Sequence, residues 1–499
     1  MSDSRVRRVV IVGGGTAGWM SAALLARALG DQVRIELVES DAIASVGVGE
    51  ATIPQIQHVN AFLGLNEHDM LRAVRGTYKL AIQFNGWGAA GDSYLHAFGD
   101  IGLPLGLIPF QHYWLRSRQQ AHAPDLWAYS LNAQACQKDR FAPVAQISGS
   151  PLTGTRHAYH LDAGLYARYL RTHCPEGVVR RTEGRVVDVA LREDGFIDAV
   201  LLDDGTRIEG DLFIDCSGFR GLLIEQALGA GYESWQHWLP CDRAVVVPSE
   251  RSTVMRPYTQ ASARAAGWQW RIPLQHRTGN GHVYCSRHMS DDEAAAVLLE
   301  YVEGQALDDP RLLRFHTGMR RRFWVGNCVA LGLSSGFMEP LESTGIHLIQ
   351  SGISRLLAMF PDRHCDAALR DAYNRQTRFE YERIRDFLIL HYRANRRDEP
   401  FWRQCTRIEL PDSLRHKLDV FARSGQIFRE GEELFTEVGW LQVLVGQGQL
   451  PVRYHPLADS LDAAKLDEFL SHIRTLVGRG VAQMPTHADY LARHCGAAA

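Results

Sequence analysis

The sequence predicts an α/β fold, with a large parallel-sheet lobe and a mostly helical second lobe packed on it. Three observations carry that expectation. The chain opens with RRVVIVGGGTAGWMSAALLARALG, an apolar run that breaks into glycines and continues as an Ala/Leu-rich stretch. Residues 180 to 223, RRTEGRVVDVALREDGFIDAVLLDDGTRIEGDLFIDCSGFRGLL, alternate short apolar runs with Asp-Gly turns. After about residue 350, apolar positions fall three and four apart, as in AALRDAYNRQTRFEYERIRDFLILHYRANR. The domain expectation is a first lobe over 1–350, carrying an aromatic- and histidine-rich helical insertion at about 100–150, and a helical lobe over 351–499.

At 499 residues the chain buries a large core and exceeds one ordinary domain. Lys plus Arg (54) nearly balance Asp plus Glu (57), for a net charge of -3, which argues against nucleic acid or an anionic membrane as partner. Nine cysteines lie scattered without a CxxC pair, the pattern of reduced thiols in a cytoplasm rather than of a disulfide framework or metal site. No stretch approaches the length of a membrane span. The basic then apolar N-terminus is a first strand, since its short apolar run ends in glycines.

In the opening segment, Val9 to Val12 form a buried strand and Gly13, Gly15 and Gly18 satisfy GxGxxG. The first glycine permits a tight turn, the second admits a pyrophosphate to the backbone, and the third lets helix and strand pack closely. Thr16 and Ala17 open the helix, whose free N–H groups suit phosphates. A second strand, VRIELVES, ends at Glu39, about 20 residues on, where a carboxylate binds ribose hydroxyls. Motif, long insertion, β-meander and return strand DLFIDCSG together resemble the FAD domain of the glutathione-reductase and hydroxybenzoate-hydroxylase superfamily. That resemblance makes FAD the expected dinucleotide and puts Val187 where backbone groups meet the adenine.

Four further segments stand out. VGVGEATIPQI (46–56) has Gly47, Gly49 and Ala51 as places of close backbone approach, following the second strand and so lying along the cofactor. RGTYKLAIQFNGW (75–87) sets Lys79 among apolar residues; taken alone, such a lysine snorkels from an exposed strand face. LGLSSGFMEPLESTGIHLI (331–349) puts Glu342, Ser343, Thr344 and Gly345 at a helix start, where the hydroxyls cap or the N–H groups hold a small anion. GWQWRIPL (267–274) puts Trp268 and Trp270 on one face of a strand.

From residue 9 to about 450 these pieces resemble the flavin-dependent tryptophan halogenase family: GxGxxG, GEATIP, the lysine of YKLAIQFNGW, WxWxIP met by Trp268, Trp270, Ile272 and Pro273, and EPLESTGI. The resemblance implies a two-component enzyme. Reduced FAD from a separate NADH-dependent flavin reductase reacts with O2 and a halide ion, bromide or chloride, to give hypohalous acid. Lys79 then presents an electrophilic halogen to an aromatic carbon, and Glu342 stabilises the cationic intermediate or takes its proton. Thr344 and Gly345 match the halide site, and Leu333 and Ile346 match positions lining the flavin. WxWxIP is implied to keep organic substrate from the flavin, with Trp268 and Trp270 also able to line the substrate side. The rival readings are a flavin-dependent aromatic hydroxylase and a catalytically silent flavin-binding sensor. Gly332-Leu333 lacks the acid of the hydroxylases' Gly-Asp pair, and intact Lys79 and Glu342 oppose the sensor.

Members acting on free tryptophan carry a tyrosine pair that holds the amino-acid end of the substrate. Here GWLQVLVGQG (439–448) puts Trp440 and Leu441 in their place. His96 and Phe98, in YLHAFG, match positions that sandwich the indole ring. The expected substrate is therefore a small aromatic such as indole, with bromide preferred, and the sequence leaves a homodimer open.

Overall fold

A computed structural model describes residues 4–42, 49–120, 123–175 and 177–496. The chain forms two compact units, each assembled from three segments: Met1–Gly76, Leu161–Gln236 and Arg314–Glu382 in one, Thr77–His160, His237–Leu313 and Arg383–Ala499 in the other. This interleaving differs from a single boundary near residue 350. Its cause lies in strand pairing: Ala81–Asn85 joins the sheet that also contains Tyr258–Arg264, so a segment before residue 100 belongs with one after 250.

The first unit is built on a six-stranded sheet in the order Trp324–Val325, Cys328–Ala330, Leu212–Asp215, Arg8–Val12, Arg34–Glu39, Val179–Glu183. All its pairs are parallel except the edge pair between Trp324–Val325 and Cys328–Ala330. Arg8–Val12 reads RVVIV and is buried at every position after Arg8, as a parallel strand covered on both faces requires. Helix Thr16–Leu29 follows it and buries Trp19 to Ala26. The expected meander is present as an antiparallel sheet of Val186–Leu191, Ile197–Leu202 and Arg207–Glu209. Val10, Val12 and Phe213 from the main sheet pack with Ile197, Val200 and Ile208 from the meander in one apolar cluster.

The second unit holds the expected helices, among them Phe110–Gln119 and Leu131–Cys136 of the insertion and Asp412–Ser424, Glu437–Gly446, Ala463–Ala482 and His487–His494 near the C-terminus. It also carries a seven-stranded sheet in the order Arg311–Arg314, Arg243–Ser249, Thr278–Tyr284, Gly267–Pro273, Tyr258–Arg264, Ala81–Asn85, Ser93–Ala97. The tryptophan strand Gly267–Pro273 is its central strand, paired antiparallel on both sides. Outside this sheet Thr77–Lys79 pairs antiparallel with Ala158–Asp162, with Thr77 opposite His160 and Lys79 opposite Ala158. Among the described residues no helix is long and apolar enough to cross a membrane.

Candidate active site

In the first unit the glycines shape one end of the helix Thr16–Leu29. Gly13 has φ +114, and a Cβ there would stand 2.2 Å from the Cys216 carbonyl oxygen on the return strand. A Cβ on Gly18 would stand 1.8 Å from the Gly13 oxygen, so the third glycine brings the helix against the turn. Gly15 differs: no described atom lies within 4 Å of its Cβ position, and no described side chain caps the helix. Thr16 and Ala17, both half-buried, occupy the first helical turn, at the positive end of the helix dipole.

Glu39 ends its strand beside this terminus. Its Oε1 accepts from Arg181 Nε at 2.5 Å, and its Oε2 accepts from the Trp19 indole at 3.4 Å. A Cβ on Gly14 would stand 1.5 Å from that Oε2. The GxGxxG spacing does not require Gly14, and the sequence signal for it is the unbroken run GGG. Arg181 carries no local signal, because it reaches Glu39 from 142 positions away. Gly184 N–H donates to the Glu39 main-chain carbonyl at 2.9 Å, just before the strand Val186–Leu191, where Val187 is exposed. An uncapped helix terminus, a bare glycine and an oriented carboxylate fit the diphosphate and ribose of a dinucleotide.

The 331–349 segment lies in the same unit. A Cβ on Gly332 would stand 2.8 Å from Ala17 Cβ, so the Gly332–Ser334 turn, with Leu333 exposed, sits against the dinucleotide helix. Glu342 closes the turn Pro340–Glu342 and is 1% exposed. Ser343 follows in the left-handed region at φ +59. Helix Gly345–Ala358 starts next, and Thr344 at its N-cap position has helical φ -87 and ψ -7 and makes no side-chain cap hydrogen bond. Gly345 is exposed with no described atom within 4 Å of its Cβ position, while Ile346 is buried. Gly49 and the buried Ala51 form a short strand, and Gly47 lies outside the described residues. Between them, burial raises the Glu50 carboxyl to about 7.

In the second unit Lys79 is fully buried, which rules out a snorkelling lysine on an exposed face. Its Nζ lies 5.3 Å from the Phe98 ring centroid. The neighbouring Tyr78 ring stacks on Phe141 at 3.9 Å, and Tyr78 N–H donates to His487 Nε2 at 3.2 Å. His96 is buried beside Phe387 at 5.5 Å and Phe435 at 6.1 Å. Phe387 stacks on Phe435 at 3.9 Å and meets the Trp440 ring edge-on at 4.9 Å. Lys417 Nζ stands 4.6 Å from the Trp440 ring and donates to both Glu433 oxygens, at 2.8 and 2.7 Å. Phe387, Phe435, Lys417 and Glu433 escape sequence reading: helical spacing marks Phe387 only as core, Phe435 and Glu433 lie between helices, and nothing local marks Lys417 as buried. Trp268 and Trp270 are both buried with ring centroids 6.0 Å apart, which confirms their shared face. The indole N–H groups of Trp270 and Trp440 are buried without a hydrogen-bond partner among the described residues.

These features define an α/β dinucleotide-binding enzyme carrying a buried lysine and a buried glutamate in the two segments singled out for chemistry. The chain belongs to the tryptophan halogenase family, which residues 8–463 match. It is 35% identical to a tryptophan 6-halogenase from Streptomyces toxytricini, over 99% of each chain. Among solved structures, a flavin-dependent halogenase from Xanthomonas campestris superposes with a TM-score of 0.96 at 50% identity, covering 99% of each chain. A second, from Brevundimonas sp. BAL3, gives 0.95 at 45% identity, covering 99% of this chain and 100% of that one. The protein is an FAD-dependent halogenase of aromatic substrates, and the kinship does not favour a hydroxylase or a silent sensor. Enzymes of this family use halide and O2 and take reduced flavin from a separate reductase.

Proposed function

We propose that this halogenase acts on indole or a similarly small electron-rich arene rather than on free tryptophan, and that bromide is its preferred halide. The observation that carries the substrate reading is Trp440, wedged between the edge-on Phe387 and the Lys417 ammonium. The Trp440 indole itself offers no ionic partner for an amino acid's ammonium or carboxylate, and the charges beside it, Lys417 and Glu433, are taken up by each other, so the site discriminates against the charged ligand. The aromatic group of His96, Phe387 and Phe435 suits a flat ring.

Gly13, Gly15, Thr16, Ala17, Gly18 and Glu39 hold the diphosphate and ribose of FAD. Gly49, Ala51, Val187, Leu333 and Ile346 complete its surroundings. When bound, the reduced flavin supplies with O2 the oxidation that turns halide into hypohalous acid. Thr344 and Gly345 offer backbone donors to the halide, and the exposed, uncapped start of Gly345–Ala358 supports this. Lys79 donates an N–H to the oxygen of hypohalous acid, which polarises the oxygen–halogen bond; burial strengthens such a donor. The arene carbon takes the halogen as that bond breaks, the departing hydroxide takes a proton from the Lys79 ammonium and leaves as water, and Glu342 accepts the proton lost from the carbon. Trp268 and Trp270 keep the arene from the flavin, so that halogen rather than oxygen is transferred. The nine free thiols support a reducing, cytoplasmic compartment.

The test supplies the enzyme with FAD, a flavin reductase, NADH, O2, and equal bromide and chloride, against equimolar indole and tryptophan, with products read by mass spectrometry. Bromoindole is the expected main product, and halotryptophan in excess would overturn the substrate reading. Lys79→Ala is expected to abolish halogenation with FAD binding retained. Glu342→Gln is expected to slow it severely.

A further inference from the structure

Two buried histidines hold the strand that carries Lys79, and their hydrogen bonds fix where their protons sit. Thr77 Oγ donates its only proton to the Pro273 carbonyl, at 2.8 Å. The contact of 2.8 Å between Thr77 Oγ and His160 Nδ1 must then be donated by the imidazole, so Nδ1 carries a hydrogen. His160 Nε2 faces Thr259 Oγ at 2.9 Å. On the other side, His487 Nε2 accepts from Tyr78 N–H, and its Nδ1 donates to the Met255 carbonyl at 3.0 Å. A backbone N–H cannot turn to accept, so protonating His487 at Nε2 breaks that bond. Both rings are fully buried.

We propose that His160 is a positioning residue for Lys79: a neutral imidazole with its proton on Nδ1 donates to the Thr77 hydroxyl, which in turn donates to the Pro273 carbonyl of the tryptophan strand, and so fixes the rung from which Lys79 projects. The inference rests on the assignment of Lys79 to halogen transfer. Thr77 and Lys79, two apart, share a face of their strand, and His160 pairs directly opposite Thr77. His160 is thereby the diagonal neighbour of Lys79, within reach of a long side chain at about 7–8 Å between backbones. The titratable groups that bear on it are Lys79 from its partner strand and His487 from the helix His487–His494, while Tyr258–Arg264 and Gly267–Pro273 present the Thr259 hydroxyl and the Pro273 carbonyl. Burial first, then Lys79 and His487, hold the His160 imidazole well below its ordinary range, and burial lowers His487 to about 4. A neutral His160 adds no positive charge beside the ammonium. WxWxIP thus gains a duty at its last residue that the tryptophans do not suggest: Pro273 supplies the acceptor that sets the tautomer.

The experiment is long-range 1H–15N correlation NMR on the full chain labelled at histidine, with His160 identified by the resonance lost in His160→Gln. The expected spectrum shows His160 protonated at Nδ1 alone from pH 8 to pH 6; an Nε2–H tautomer, or an imidazolium at pH 6, would overturn the inference. Kinetics supply the second arm. His160→Phe is expected to lower kcat at least ten-fold while leaving the arene KM and FAD affinity unchanged, and His160→Gln to restore most of the loss. Thr77→Val, which keeps volume but removes the hydroxyl, is expected to lower kcat likewise, and wild-type kcat in both His160→Phe and Thr77→Val would overturn the role. Failure of the Lys79 reading shows separately, as halogenation surviving in Lys79→Ala.

Discussion

The Trp270 indole occupies the space over Gly281. The two residues face each other across the antiparallel pair Gly267–Pro273 and Thr278–Tyr284, and a Cβ at Gly281 would stand 2.1 Å from the indole Cζ2. The strand next to the tryptophans is thus bare where the larger ring lies, and one added methyl must displace it. Gly281→Ala is expected to cost about 1–3 kcal/mol of stability, the usual cost of overpacking a filled core. Urea unfolding measures it, and an unchanged midpoint would mean that the ring is free to shift.

Gly15 separates helix stability from cofactor binding. Its φ is -74, its surroundings are open among the described residues, and the helix it precedes has no side-chain cap. Gly15→Asp supplies a cap that suits the helix dipole, yet places a carboxylate where a diphosphate binds. The expected outcome is an unchanged or higher Tm with FAD affinity reduced at least a hundred-fold. Equal loss of both would mean that the residue serves folding alone.

What the sequence makes legible is what local sterics dictate. Gly13 is required by its φ of +114 and Gly18 by its approach to the Gly13 oxygen within one turn, and Glu39 follows at the end of the second strand. Trp268 and Trp270 share a face because a strand has a period of two. Arg181 on Glu39 and the seven-stranded sheet that joins residues before 100 to residues after 250 depend on distant chain segments, and the Lys417–Glu433 pair under Trp440 depends on the path of the loop between two helices, which no periodicity marks. Lys79 shows the limit most plainly. Its flanking residues suit an exposed strand equally well, and only the enclosure of its three-residue strand by Phe98, Phe141 and two histidines makes it buried.

Glu50 gives a pH signature in the first unit. Its carboxyl is raised by burial from 4.5 to about 7 in the folded chain. Between those values the unfolded chain releases this proton while the folded chain retains it, so stability falls as pH rises through the window and levels off above it. The contribution amounts to about 3 kcal/mol, at 1.36 kcal/mol per unit. Glu50→Gln is expected to remove this part of the slope. Urea midpoints at pH 4.5 and 7.5 for both proteins measure it, and parallel slopes would place the titration elsewhere.

The Lys417–Glu433 pair allows the stability and recognition roles around Trp440 to be taken apart. The side chains are 9% and 2% exposed, and the ammonium also donates to the Phe428 carbonyl at 2.9 Å. Lys417→Met strands a buried carboxylate, at an expected cost of about 3–5 kcal/mol. Lys417→Met/Glu433→Leu removes both charges and is expected to recover most of that stability, since a buried pair is often replaced by apolar groups without loss. Neither variant restores the cation over the indole, a contact of about 0.5–2 kcal/mol. The arene KM is therefore expected to rise in both, while stability falls in the single variant alone. If KM returned to the wild-type value in the double variant, the ammonium would act on Trp440 only through the fold.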